Sequence, residues 1–177
     1  MTGVQTCALP IYTWARASRK GWDMDAIMPG SDWDKEIDIC VSIDASGSMS
    51  DEMLKDILSE VKGIMESYTS FRLHLWSFDT EVYNAQVFTA ENLDEIMEYD
   101  LQGGGGTMFE CNWEYMREQD IQPKKFVMFT DGYPCGHWCP PGDEDYCDTI
   151  FVVHGNDKIV APFGQTAHYD QAAKLNG

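Results

Sequence analysis

An apolar run from Ile37 to Ile43 leads into the loop Asp44-Ala45-Ser46-Gly47-Ser48. A helical pattern follows, and then a second apolar run from Phe71 to Phe78. This succession constrains the fold more than any other feature. Two strands separated by a helix read as a parallel crossover, because parallel neighbours need a long connection that packs back on the sheet. Ser50 stands where a helix N-cap belongs. Asp51 and Glu52 follow in the first turn, where carboxylates suit the helix dipole. Leu54, Ile57, Leu58, Val61, Ile64, Met65 and Tyr68 recur at helical spacing and form the predicted buried stripe.

The same alternation continues downstream. Asp79-Thr80 reads as a turn, with Asp79 as a turn-forming residue, and Glu81 to Phe88 as an antiparallel edge strand. Leu93 to Tyr99 is a predicted short helix, and Gly103 to Gly106 a glycine run. Met108 to Glu118 is a further predicted helix. Lys125 to Thr130 is a strand, and Thr149 to His154 the last clear one. Together these predict an α/β fold. It is a doubly wound, mostly parallel sheet with helices on both faces and an antiparallel edge strand. Ligands of such sheets bind outside the carboxyl ends of the strands, at the switch in strand order. The loops that begin at Asp44 and at Asp131 both fall there.

The residues at those ends are hard oxygen donors. Asp44, Ser46 and Ser48 share one loop, Thr107 follows the glycine run, and Asp131 ends the strand Phe126-Val127-Met128-Phe129-Thr130. Such a set suits Mg²⁺ (or Mn²⁺) rather than a soft metal. The plainer alternative is that Asp44 and Ser46 only cap the following helix. In the metal reading the carboxylates supply charge and the hydroxyls neutral donors. Gly47 allows close backbone approach, and the glycine run lets its loop fold over the site.

These pieces, in this order, resemble the von Willebrand factor A (VWA) domain. Its metal-ion-dependent adhesion site (MIDAS) reads Asp-x-Ser-x-Ser, then a distant Thr and a distant Asp. The resemblance implies direct metal contact by Ser46, Ser48 and Thr107, with Asp44 and Asp131 acting through water or in support. It also implies an open coordination position for an Asp or Glu of a protein partner. Trp76-Ser77-Phe78-Asp79-Thr80, the Gly-Gly-Gly-Gly-Thr-Met-Phe stretch and Ala161-Pro162-Phe163-Gly164 are similar to a narrower subgroup. That subgroup is the C-terminal VWA-like domain of bacterial and phage metallopeptidase-like proteins. The chain contains no His-Glu-x-x-His. The expectation is therefore a non-catalytic, Mg²⁺-dependent protein-binding module of a larger protein. Related VWA proteins work beside AAA+ ATPases, in MoxR-type and chelatase-type systems, and a regulatory role beside such an ATPase is an alternative.

One loop departs from the pattern. Cys135, His137, Cys139 and Cys147 lie between Asp131 and Thr149 and have the ligand types of a zinc site. Their spacing is not that of the tight pairs of zinc ribbons. A zinc-stabilised structural adaptor, free thiols in an extended loop, and a disulfide formed in an oxidising preparation are the alternatives.

Composition excludes some partners. The formal net charge is −18 and the pI near 4.3. Nucleic acid needs a basic footprint, and anionic membrane surfaces repel such a chain. Met1 to Ile11 resembles a translated sequencing-library adapter, so residues 1–12 are set aside as a leader, as tags are. Residues 13–36 read as an aperiodic lead-in arm, and 37–177 as the VWA-like domain. This reading makes the chain a fragment of a longer protein. Of six cysteines, Cys7 lies in the leader, which leaves an odd number. Cys40 sits within a predicted core strand. An odd count without a secretory signal points to a reduced, cytoplasmic protein.

Overall fold

The computed structural model describes residues 11–17, 29–32, 37–45, 47 and 50–169. Its contacts divide the chain into two units, 1–35 and 36–177. In the first unit β1 (Ile11–Ala17) pairs antiparallel with β2 (Pro29–Asp32), with a register shift between Thr13 and Ala17. The leader reading ends inside β1, at Tyr12, and its first ten residues lie outside the described ones. The arm read as aperiodic thus contains most of a strand pair. Main-chain pairing with an irregular register leaves no clean side-chain alternation to read.

The second unit is a six-stranded sheet. Its strands are β3 (Ile37–Asp44), β4 (Phe71–Phe78), β5 (Val82–Phe88), β6 (Lys125–Thr130), β7 (Asp148–His154) and β8 (Gln165–Tyr169). Their order is β5-β4-β3-β6-β7-β8. All neighbours are parallel except β5, which runs antiparallel on β4 at the edge. Helix α1 (Asp51–Met65) connects β3 to β4, and α2 (Glu110–Glu118) precedes β6. The order reverses direction around β3, so its carboxyl end is the switch point.

Alternate strand residues face opposite layers. Val41, Ile43, Leu73 and Leu75 pack with Leu54, Ile57, Leu58, Val61 and Met65 of α1 on one face. Cys40, Trp76, Phe78, Phe126 and Met128 pack with Cys111, Trp113 and Met116 of α2 on the other. The second layer is aromatic, with Trp113 edge-on to Phe126 at 5.3 Å between ring centroids. A buried polar pair sits within it: Trp76 Nε1 donates to Asn112 Oδ1 at 2.7 Å.

Ser50 caps α1 as predicted, its hydroxyl accepting from Met53 N at 3.2 Å. The predicted stripe is too long by two residues. Ile64 is 56% and Tyr68 40% exposed, since Ile64 lies on the stripe's flank in the last turn and Tyr68 lies beyond the helix end. The predicted helix at Leu93 is a 3₁₀ helix, Leu93–Glu98, with Leu93 and Ile96 buried. The next helix begins at Glu110 rather than Met108. Strand β8 is an addition. It is largely exposed and joins the sheet through its main chain, so it lacks an apolar signature. No helix among the described residues is long and apolar enough to cross a membrane.

Candidate metal centre

Parallel register brings three acids to one edge. Asp44, the last residue of β3, pairs with Phe78 of β4, and Ile43 pairs with Phe129 of β6. Asp44, Asp79 and Asp131 therefore stand at the carboxyl ends of three adjacent strands. Asp44 is fully buried, and Thr130 Oγ1 donates to its Oδ2 at 2.8 Å. The same hydroxyl accepts from Gly132 N at 3.1 Å, which ties the turn after β6 to Asp44. Asp131 is half-buried, and its Oδ1 accepts from Tyr133 N at 3.1 Å in a local turn. His154 ends β7 beside this group; burial lowers its pKa, and the Asp131 charge opposes that shift.

The glycine run is fastened to this edge by Asp79. This residue is 4% exposed, and its Oδ2 accepts from Gly105 N at 2.9 Å and Gly104 N at 3.2 Å. Its Oδ1 accepts from Thr80 N and, at 3.3 Å, from Glu81 N. Burial alone raises the Asp79 pKa. The hydrogen bonds from Thr80, Gly105 and Glu81 outweigh burial and hold the carboxyl at about 2. The turn reading of Asp79 holds, but it missed the larger role of anchoring a segment 25 residues away. The one available signal was an acid at a strand end in a chain that also carries a glycine run needing an acceptor.

Glycine is required where the two loops touch. Gly103 has φ +130, and a Cβ there would stand 2.6 Å from Ala45 Cβ; one on Gly105 would stand 2.9 Å from Asp79 Oδ2. The run thus lies against both the Asp44 loop and Asp79. Met108 N donates to Asp79 O at 2.6 Å. Thr107, 7% exposed, is held from the other side: Cys135 N donates to Thr107 O at 2.7 Å, and Cys135 Sγ accepts from Thr107 N at 3.4 Å. Thr107 is therefore fixed between the end of β4 and the loop that follows Asp131. Ser46 and Ser48 lie outside the described residues.

The described part of the set has the donor chemistry that a hard divalent cation takes. It offers two carboxylates on adjacent strand ends and a buried threonine, all oxygen donors. The cysteine loop is different. His137 Nδ1 faces Glu110 Oε1 at 3.0 Å, Cys147 Sγ lies 3.7 Å from Thr149 Oγ1, and Cys135 serves Thr107. Cys139 is buried, its thiol pushed up to about 11 by burial and then by Glu144, Asp143 and Glu110. Among the described residues no three His, Cys, Asp or Glu side chains are grouped to hold a metal ion, so these four are not gathered as a ligand set. All five described cysteines are free thiols. Cys40 is buried in the sheet, as expected, and burial pushes its thiol up.

The architecture is similar to that of several solved proteins of low sequence identity, which speaks to the fold alone. An aerotolerance-related membrane protein from Bacteroides fragilis, carrying multiple mutations to serines, aligns with a TM-score of 0.56 at 9% identity, over 78% of this chain and 94% of that one. Proximal thread matrix protein 1 from the mussel byssus aligns with a TM-score of 0.58 at 17% identity, over 79% and 44%. The ArnB paralog VWA2 from Sulfolobus acidocaldarius aligns with a TM-score of 0.55 at 16% identity, over 80% and 43%. No curated protein matches the sequence. The model of one family, the VWA-like domain (DUF2201), matches residues 39–170, which span the whole six-stranded sheet apart from the start of β3. The chain belongs to that VWA-like family.

Proposed function

We propose that this domain is a Mg²⁺-dependent protein-binding module, with Mn²⁺ as an alternative ion. Asp44, Ser46, Ser48, Thr107 and Asp131 form its MIDAS-type centre. The observation that carries the reading is the meeting of the Asp44 strand end, the Thr107 segment and the Asp131 turn at the switch point of the sheet. When bound, the ion supplies a positive centre with a vacant position for a carboxylate. The chain's residues build the seat. Thr130 orients Asp44, and Asp79 and Cys135 fix Thr107. The partner's Asp or Glu would complete the coordination, which makes binding, not catalysis, the task of this domain. A cytoplasmic setting beside an AAA+ ATPase, within a metallopeptidase-like parent protein, is the context that the family resemblance favours.

Calorimetric Mg²⁺ titration of the wild type, Ser46→Ala and Asp131→Ala tests the centre. Each hydroxyl or charge lost should weaken Mg²⁺ binding by about tenfold or more, because octahedral Mg²⁺ tolerates missing ligands poorly. Equal affinity in all three proteins refutes the centre and the function built on it.

A further inference from the structure

The loop that clamps Thr107 also walls a cavity. Gly136, His137, Trp138, Cys139, Pro141 and Glu144 meet Phe163 and its neighbour around a volume of about 420 Å³. That volume lies at the small end of ligand pockets. Its first wall residue directly follows Cys135, whose N–H holds Thr107, so cavity and candidate metal centre share one loop. The aromatic walls are set by packing. Trp138 is edge-on to Phe109 at 5.3 Å and to Phe151 at 5.1 Å, and Phe163 to Phe151 at 5.2 Å.

The polar part of the cavity is acidic. Glu144 lines it, and Glu110 stands behind His137, its Oε1 3.0 Å from Nδ1. With Nδ1 engaged, Nε2 is an acceptor whenever the ring is neutral. Behind Cys139 lies Asp143, which is nine-tenths buried. Arg117 pairs with its Oδ1, while Oδ2 has no hydrogen-bond partner. Burial first, and then the carboxylates of Glu144, Asp143 and Glu110, push the Cys139 thiol up. Half-buried aromatic faces beside carboxylates select a cation that can stack. A guanidinium does so and also donates in a fork to a carboxylate, whereas an ammonium is a compact, strongly hydrated charge.

We infer that this cavity is a second docking point, which receives an arginine side chain of the protein partner while the partner's carboxylate reaches the metal centre. The inference rests on the proposal that the partner is a protein. It deepens that proposal by stating the partner's chemistry: an acidic residue beside an arginine, on a face basic enough to approach a chain of net charge −18.

The probe is the blocked peptide acetyl-Gly-Arg-Gly-amide, with its lysine and citrulline counterparts and free arginine as comparisons. The readout is the NMR shift of the Trp138 indole N–H, assigned by Trp138→Phe. The arginine peptide should shift it saturably, and the isosteric but neutral citrulline peptide should not. Glu144→Gln, at an exposed position, should weaken the arginine peptide about three- to fivefold, as a partly exposed ion pair allows. Equal shifts from arginine and citrulline peptides, or an arginine response unchanged by Glu144→Gln, overturn the inference. Free arginine binding more tightly than the peptide assigns the cavity to a small guanidinium ligand and overturns the partner reading. The titration is repeated in Ser46→Ala and without Mg²⁺. A retained arginine response there, with no Mg²⁺ binding in the wild type, removes the metal centre while leaving the cavity assignment intact.

Discussion

Asp79→Ala removes one carboxylate on which two segments depend. The side chain accepts from Gly104 N, Gly105 N, Thr80 N and Glu81 N, and from Thr80 Oγ1 at 3.1 Å. Hydrogen bonds to a charged acceptor contribute about 1.5–3 kcal/mol each when measured one at a time. The donors on Gly104, Gly105, Thr80 and Glu81 sit on exposed residues and can turn to water, which lowers the sum. The expected loss is about 3 kcal/mol, or about 10 °C in Tm for a unit of this size. The main-chain bond from Met108 N to Asp79 O survives, so the fold is retained while the glycine run loosens. Mg²⁺ affinity should fall with it, because Thr107 loses its fixed approach.

The same carboxylate predicts a pH dependence. Its folded pKa of about 2 lies below its ordinary value of 3.8. Its contribution is therefore complete above pH 3.8 and is lost as pH falls through 2. Thermal melts of the wild type and Asp79→Asn, followed by circular dichroism between pH 6 and pH 2, should show a gap that narrows only at the acid end. An Asp79→Ala protein that melts within about 2 °C of the wild type, with unchanged Mg²⁺ affinity, would refute the anchoring argument.

Other substitutions probe the neighbouring contacts. Gly103→Ala should cost about 1–3 kcal/mol in chemical denaturation, because φ is +130 and the new Cβ would stand 2.6 Å from Ala45 Cβ. Thr130→Val takes the hydroxyl from fully buried Asp44, so denaturant melts should show a loss of about 2 kcal/mol, and the Mg²⁺ titration a weaker site. Asn112→Ala leaves Trp76 Nε1 buried without its acceptor at 2.7 Å. Denaturation should show a loss of about 2 kcal/mol with Mg²⁺ binding unchanged, since this pair lies in the sheet core away from the edge.

Much of the framework was legible in one dimension. Strands β3, β4 and β6 announce themselves by apolar runs, α1 by its stripe and by the Ser50 cap, and β5 by its turn at Asp79-Thr80. These signals are local, since side-chain period and cap chemistry act over a few residues. Asp44, Thr107 and Asp131 could be singled out in the sequence because each stands at the end of a recognisable strand or glycine run. What lay beyond reach was the pairing of distant groups. Strand β8 has no apolar code because main-chain hydrogen bonds hold it, and Ile64 is exposed because it lies on the flank of the stripe while Met65 beside it is buried. Asp79 looked like any turn acid until the fold laid the glycine run across it. Cys135 looked like a possible zinc ligand until it was seen clamping Thr107, and the cavity walled by Trp138 had no signal in the sequence. Local periodicity sets which elements form. Which acceptor meets which donor across 25 residues is set by strand order and register, which emerge only when the layers pack.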